Sequence, residues 1–189
     1  MANILAIAGS PSHPSRTYAL VEYATQTLQQ QGFDTDIISV RDLPAEDLVF
    51  GRYDSPVLEQ PKALLEKADG VIIATPIYKA AYTGVLKAFL DLLPQKALAG
   101  KVVLPLATGG TIAHLLAVEY ALKPVLSELG ARHLLGTVYA VDKQIQRQAD
   151  GSLQLDEEIE QRLKDTLHGF AIAVDHLQPA VEKELARTA

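Results

Sequence analysis

Along this chain short apolar runs alternate with longer amphipathic stretches, and that alternation constrains the fold more than any single motif. The apolar runs are ILAIA (4–8), TDIISV (35–40), GVIIAT (70–75), VVLPLAT (102–108) and a weaker HLLGTVYAV (133–141). Runs this short, rich in Ile and Val and without strict polar alternation, fit strands buried on both faces. Between them lie helical patterns over 16–31, 56–68, 84–93, 112–129 and 156–176. Five strands alternating with five helices predict a doubly wound α/β sandwich, with a five-stranded parallel sheet, right-handed crossovers and helices on both faces. The expected strand order is 2-1-3-4-5, the flavodoxin-like arrangement.

At 189 residues the chain can build one sizeable core. No repeat, low-complexity stretch or linker divides it, so a single flavodoxin-like domain is expected over 1–177, followed by a C-terminal tail over 178–189. Residues 41–56 form a long mixed connection. Residues 142–155 are polar with an Asp-Gly turn signal, which predicts an exposed excursion before the last helix. The N-terminus, MANILAIAGSP, lacks a basic flank and reads as a first strand, not as a signal peptide. No stretch approaches the roughly 20 apolar residues of a membrane span. The expectation is a soluble, cytoplasmic protein with no membrane association.

There are no cysteines, which excludes disulfides, thiol redox chemistry, thiolate metal sites and a cysteine nucleophile together. The net charge is −6, a poor match to nucleic acid, which needs a concentrated basic stripe. An anionic ligand would therefore be held by a local pocket and not by the global field.

In an open parallel sheet the ligand crevice lies at the carboxyl ends of the strands, so the loops after the first, third and fourth apolar runs matter most. The first, GSPSHPSRT (9–17), leads from a strand into a helix beginning near Arg16. A helix N-terminus offers free N–H groups and a positive dipole end. Ser10, Ser12, Ser15 and Thr17 add hydroxyls, and Arg16 adds charge. With one glycine, the loop is neither a Walker loop nor a G-x-G-x-x-G fingerprint, so a phosphate monoester fits better than a pyrophosphate. A polar loop with an ordinary Ser cap is the plain alternative.

The second, TPIYKAAYTGVLKAFLD (75–91), puts Pro76, Tyr78, Lys79 and Tyr82 at the expected ligand edge, although surface aromatics and solvated lysines are common there. The third, ATGGTIAH (107–114), pairs glycines that let the backbone approach a flat ligand and donate to its carbonyls, or that simply make a turn. His114 reads as a helix-start residue. No G-x-S-x-G elbow is present, and the five histidines are scattered with no metal-ligand spacing. A phosphate cradle, aromatics and backbone donors without an acid–base pair suit a cofactor that carries its own chemistry. No catalytic side chain and no metal are expected.

These loops resemble the NADPH-dependent FMN reductase family, and within it the reductase components of two-component alkanesulfonate monooxygenase systems. The matching segments are AGSPSHPSRT at the front, PAEDL (44–48), RYDSP (52–56) and the long block from 68 to 129. Beyond about residue 140 the resemblance weakens. The resemblance implies that Ser10, Ser12, Ser15, Arg16 and Thr17 hold the FMN phosphate. It implies that Pro76, Ile77, Tyr78 and Lys79 lie along the isoalloxazine and ribityl chain, and that Thr108, Gly109 and Gly110 meet the pyrimidine end. Where the broader family carries P-E-Y-N, this chain has Pro76-Ile77-Tyr78-Lys79, a departure the sulfonate-type subgroup shares. The resemblance also implies that Tyr120 sits in a π-helical bulge at a subunit interface; from the sequence alone it reads as a core aromatic.

The function so implied is hydride transfer from NADPH to FMN, with FMN bound as a substrate and FMNH2 supplied to a partner monooxygenase. The alternatives are a quinone or azo reductase with tightly held FMN, and a flavodoxin-like electron carrier. NADPH and NADH are not distinguished, because Arg16 cannot serve both the FMN phosphate and the extra phosphate of NADPH. The stretches ALKPVL and HLLAVEYAL are apolar over more than one face, which predicts a homodimer or homotetramer.

Overall fold

β1 (Asn3–Ala8) shows why the sheet lies between two helical layers. Ile4 and Ala6 enter one hydrophobic core while Leu5 and Ile7 enter the other, all fully buried. A strand covered on both faces has no solvent side, hence its unbroken apolar run. The computed structural model, which describes residues 1–148 and 153–188 with side chains to residue 177 except that of Arg147, shows the same division in β3 (Gly70–Tyr78) and β5 (Val102–Gly109). Val71 and Ile73 face one core, Ile72 and Ala74 the other. β2 (Asp34–Ser39) pairs with β1 at the edge, and polar residues interrupt its apolar pattern.

One face of the sheet is covered by α1 (Arg16–Gln30) and α6 (Glu157–Thr188), which contribute Leu20, Val21, Leu28, Leu163, Leu167 and Phe170. The other is covered by α2 (Ala45–Val49), α3 (Glu59–Lys67), α4 (Gly84–Asp91) and α5 (Lys123–Glu128), through Leu48, Leu65, Leu86, Phe89 and Leu126. Each such side chain stabilises the fold by about 2 kcal/mol relative to exposure.

The fifth strand is broken into β6 (His133–Leu134) and β7 (Val138–Val141), both parallel to β5. The gap holds Leu135, Gly136 and Thr137; Leu135 still packs against the core, and Gly136 has no side chain to do so. Counted as one strand, the pair completes the predicted parallel order 2-1-3-4-5. β3 runs further than the sequence predicts: Pro76 stays in register with Thr108, and Ile77 pairs with Tyr82 of β4 (Ala81–Tyr82). The 41–56 connection contains α2, and the 142–155 excursion contains a hairpin, β8 (Ile145–Arg147) with β9 (Leu153–Leu155). The Asp-Gly turn signal at 150–151 lies outside the described residues.

The helix predicted over 112–129 is not continuous. It opens with a 3-10 turn (Ile112–His114), passes through a π-helix (Val118–Leu122) and ends in α5. Pro124 has no N–H to offer the carbonyl four residues back, so the α-helical ladder cannot close over Tyr120. The wide turn is closed just before that proline, by the Lys123 N–H donating to the Val118 carbonyl five residues back. No helix of the described residues is long and apolar enough to cross a membrane.

Candidate active site

The carboxyl ends of β1, β3 and β5 bring three loops together. After β1 the Gly9 N–H donates to the Ala74 carbonyl at 2.8 Å, keeping the loop on the sheet as it leaves. Ser10 is buried, and its hydroxyl accepts from the Ser12 N–H at 3.3 Å. Ser15 caps α1: its hydroxyl accepts from the Tyr18 N–H at 3.1 Å, a contact worth about 1 kcal/mol. The first turn of α1 then presents its positive end and its remaining N–H groups to the loop. The buried Thr17 and Thr108 hydroxyls lie 2.7 Å apart and tie this helix to the end of β5.

At the end of β3, the Thr75 hydroxyl donates to the Pro76 carbonyl at 2.9 Å and accepts from the Thr83 N–H at 3.2 Å. Thr83 in turn caps α4 and donates its hydroxyl to the Gly9 carbonyl. These buried hydroxyls fix the first two loops against each other. Tyr78 is half exposed, with its hydroxyl 3.3 Å from that of Ser12. The turn from β3 to β4 holds Lys79 and Ala80 at φ 50 and 64, left-handed values that cost roughly 1–2 kcal/mol per non-glycine residue.

At the end of β5, Gly109 backs onto Tyr139. A Cβ at Gly109 would lie 2.2 Å from the Tyr139 hydroxyl, which donates to the Thr111 carbonyl at 2.9 Å. Burial first, then the Asp142 carboxylate, pushes the Tyr139 phenol above its ordinary pKa, so it remains a donor. Gly109 is thus required from behind, by packing, whereas Gly110 is exposed toward the crevice.

The three loops enclose a pocket of about 150 Å3. Ser10, Ser12, Ser15, Arg16 and Thr17 form one wall, Pro76, Ile77 and Tyr78 a second, and Thr108, Gly109 and Gly110 a third. Of the predicted binding residues only Lys79 is outside this lining, at the apex of its turn. The family model for NADPH-dependent FMN reductase matches residues 2–146. The chain belongs to that family. It is 49% identical to an FMN reductase (NADPH) of Pseudomonas putida over 173 residues, which is 90% of this chain and 87% of that protein. It is 54% identical to an FMN reductase (NADPH) of Escherichia coli over 144 residues, 75% and 74% of the two chains. A solved apo structure of an NADH:FMN oxidoreductase, 41% identical, superposes with a TM-score of 0.83 over 92% of this chain and 90% of that one.

As a member of this family the chain is a flavin reductase whose ligands are FMN and NADPH. The donor set suits a flavin phosphate: hydroxyls, a helix N-terminus, and Arg16, which is in no ion pair among the described residues. Also among the described residues, no cluster of His, Asp or Glu is placed to hold a metal ion.

Two lining residues escaped the sequence reading, Pro14 and Asp142. Asp142 directly follows the fifth apolar run, so its place at a strand's carboxyl end was the available signal. Tyr120 lies in the π-helix and is 79% exposed, which corrects its reading as a core aromatic. A π turn shifts the phase of the side chains around it, and residue 120 falls outside both cores.

Proposed function

We propose that this FMN reductase takes FMN as an exchangeable substrate over residues 1–177, and passes FMNH2 to a flavin-dependent monooxygenase in sulfonate sulfur assimilation. The observation that carries the reading is the meeting of the three loops in one pocket, with the first turn of α1 at one wall. In this reading Ser10, Ser12, Ser15, Arg16 and Thr17 bind the phosphate. Pro76, Ile77, Tyr78 and Lys79 border the ribityl chain and ring, and the Thr108–Gly110 backbone donates to the pyrimidine carbonyls.

NADPH supplies a hydride to flavin N5, and a proton from solvent completes FMNH2. The protein contributes alignment and preorganised donors, with no side chain acting as acid or base. Arg16 and the seryl hydroxyls fix one end of the substrate, so the ring is held by its tether and by a wall that stays open. That openness supports release of the product. A partner monooxygenase and a sulfonate route fit the resemblance of the 68–129 block to the alkanesulfonate-type reductases. A cytoplasmic homodimer or homotetramer fits as well, since Ile112, Leu116 and Tyr120 are exposed on the segment that holds the π-helix.

NADPH oxidation measured side by side with FMN, FAD and riboflavin tests this reading. FMN should give the highest kcat/KM, with riboflavin losing mainly through KM. A rate that does not depend on added flavin would mean that the flavin is retained, and would refute exchange.

A further inference from the structure

Past the phosphate wall lies a second and larger cleft, of about 650 Å3, between the first turn of α1 and the β8–β9 hairpin. Arg16 and Asp142 border both spaces. Its size falls within the usual range of small-molecule sites, about 300–1,000 Å3. FMN seated with its phosphate at α1 and its ring toward Tyr78 and Gly110 points away from it. FMN so placed leaves this space empty.

The lining has a particular chemistry. Ala19 and Ile145 are both buried and form an apolar wall. Gln146 adds an exposed amide, and Lys143 adds a cation that stands apart from the FMN pocket. A flat apolar group with hydrogen-bonding edges, joined to an anion, matches that combination.

We propose that this cleft is a subsite for an adenosine phosphate group. The base lies against Ala19 and Ile145 with the Gln146 amide at its edge. The phosphate sits between Lys143 and Arg16, and Asp142 accepts from the ribose hydroxyls. The assignment rests on the FMN reading of the neighbouring pocket, because continuity with the FMN phosphate is what points to a dinucleotide. Two substrates carry such a group. In FAD an AMP unit is joined to the FMN phosphate, and in NADPH the adenosine bears a further 2′-phosphate. Either way Lys143 relieves Arg16 of serving two phosphates alone.

The test is calorimetric titration of the full chain with 5′-AMP and with adenosine 2′,5′-bisphosphate, and fluorescence titration with FMN alongside. At least one nucleotide should bind, and Lys143→Glu should weaken it roughly tenfold, as expected for loss of a charge-assisted contact, while FMN binding changes little. Lys143→Gln should give a smaller loss of the same nucleotide. Much tighter binding of the bisphosphate to the wild type assigns the subsite to NADPH, and equal binding assigns it to an AMP unit without a 2′-phosphate, such as that of FAD. Failure of both nucleotides to bind overturns the proposal. So does an equal loss of FMN and nucleotide in Lys143→Glu, which would make Lys143 part of the FMN pocket. If the FMN reading itself were wrong, the wild type would fail the FMN titration, and the nucleotide titrations would still report on the cleft.

Discussion

At the proposed phosphate wall Ser10, Ser15 and Thr17 are buried and tied into hydrogen bonds, with Ser12 and Arg16 exposed between them, whereas at the proposed ring wall Tyr78 is half exposed and Gly110 open in front of the buried Pro76, Ile77, Thr108 and Gly109. The contrast follows what each end must do. A phosphate is the same at the start and end of a turnover, so donors can be fixed in advance and the ordering cost of binding is small. In the proposed reaction the ring meets a second ring, changes its electronic state and leaves, so a closed wall would obstruct it. The ring wall is nevertheless not loose. Its backbone is shaped from behind by Tyr139 and from the side by the left-handed turn at Lys79 and Ala80.

The largest expected effect breaks the ring wall from behind. Gly109→Ala places a methyl against the Tyr139 hydroxyl and should cost about 3 kcal/mol of stability, read by chemical denaturation. Adding Tyr139→Phe should restore part of it, because the next atom, a ring carbon, lies 3.1 Å from the added methyl. No recovery would show that the loop is held by something else. Next, Thr17→Val cuts the link between the walls and strands the Thr108 hydroxyl, at a cost of about 1–3 kcal/mol. Thr17→Val/Thr108→Val should cost clearly less than the sum of the singles in a double-mutant cycle. Additive singles would contradict the link.

Arg16→Ala should raise KM for FMN roughly tenfold, as expected for a hydrogen bond to a charged group, and leave riboflavin nearly unchanged. Equal losses for both flavins would remove Arg16 from the phosphate wall. The smallest effect is at the turn: Lys79→Gly should stabilise the protein by about 1 kcal/mol, since glycine adopts the left-handed conformation freely. It should leave the FMN-to-riboflavin preference intact, and a melting temperature that fell instead would mean that the Lys79 side chain is needed.

The sheet was legible wherever both faces are buried. In β1, β3 and β5 the apolar runs mark the strands directly, because both faces pack into hydrophobic core and the buried polar side chains, Thr75 and Thr108, come only near the carboxyl ends, where their hydroxyls are hydrogen-bonded. The fifth strand was legible only in outline, since its break at Gly136 leaves the apolar count almost unchanged. The π-helix could not be read from periodicity, because the buried Val118, Leu122 and Leu126 keep an ordinary spacing of four through it; Pro124 was the local clue. The turn at Lys79 and Ala80 carries neither Gly nor Asn, so its left-handed backbone had no sequence sign. The first-loop wall of the pocket was visible because its residues are contiguous. Asp142 was not, because it reaches the pocket from the end of the fifth strand, whose apolar run is the weakest of the five.

The central claim, that FMN is exchanged at a site anchored by its phosphate, is tested most directly by the initial rate of NADPH oxidation as FMN is titrated into flavin-stripped enzyme, with riboflavin in parallel. Saturable dependence on FMN, with a KM well below that of riboflavin, is the result predicted. A full rate at stoichiometric flavin that does not rise with more, or equal KM values for the two flavins, would contradict it.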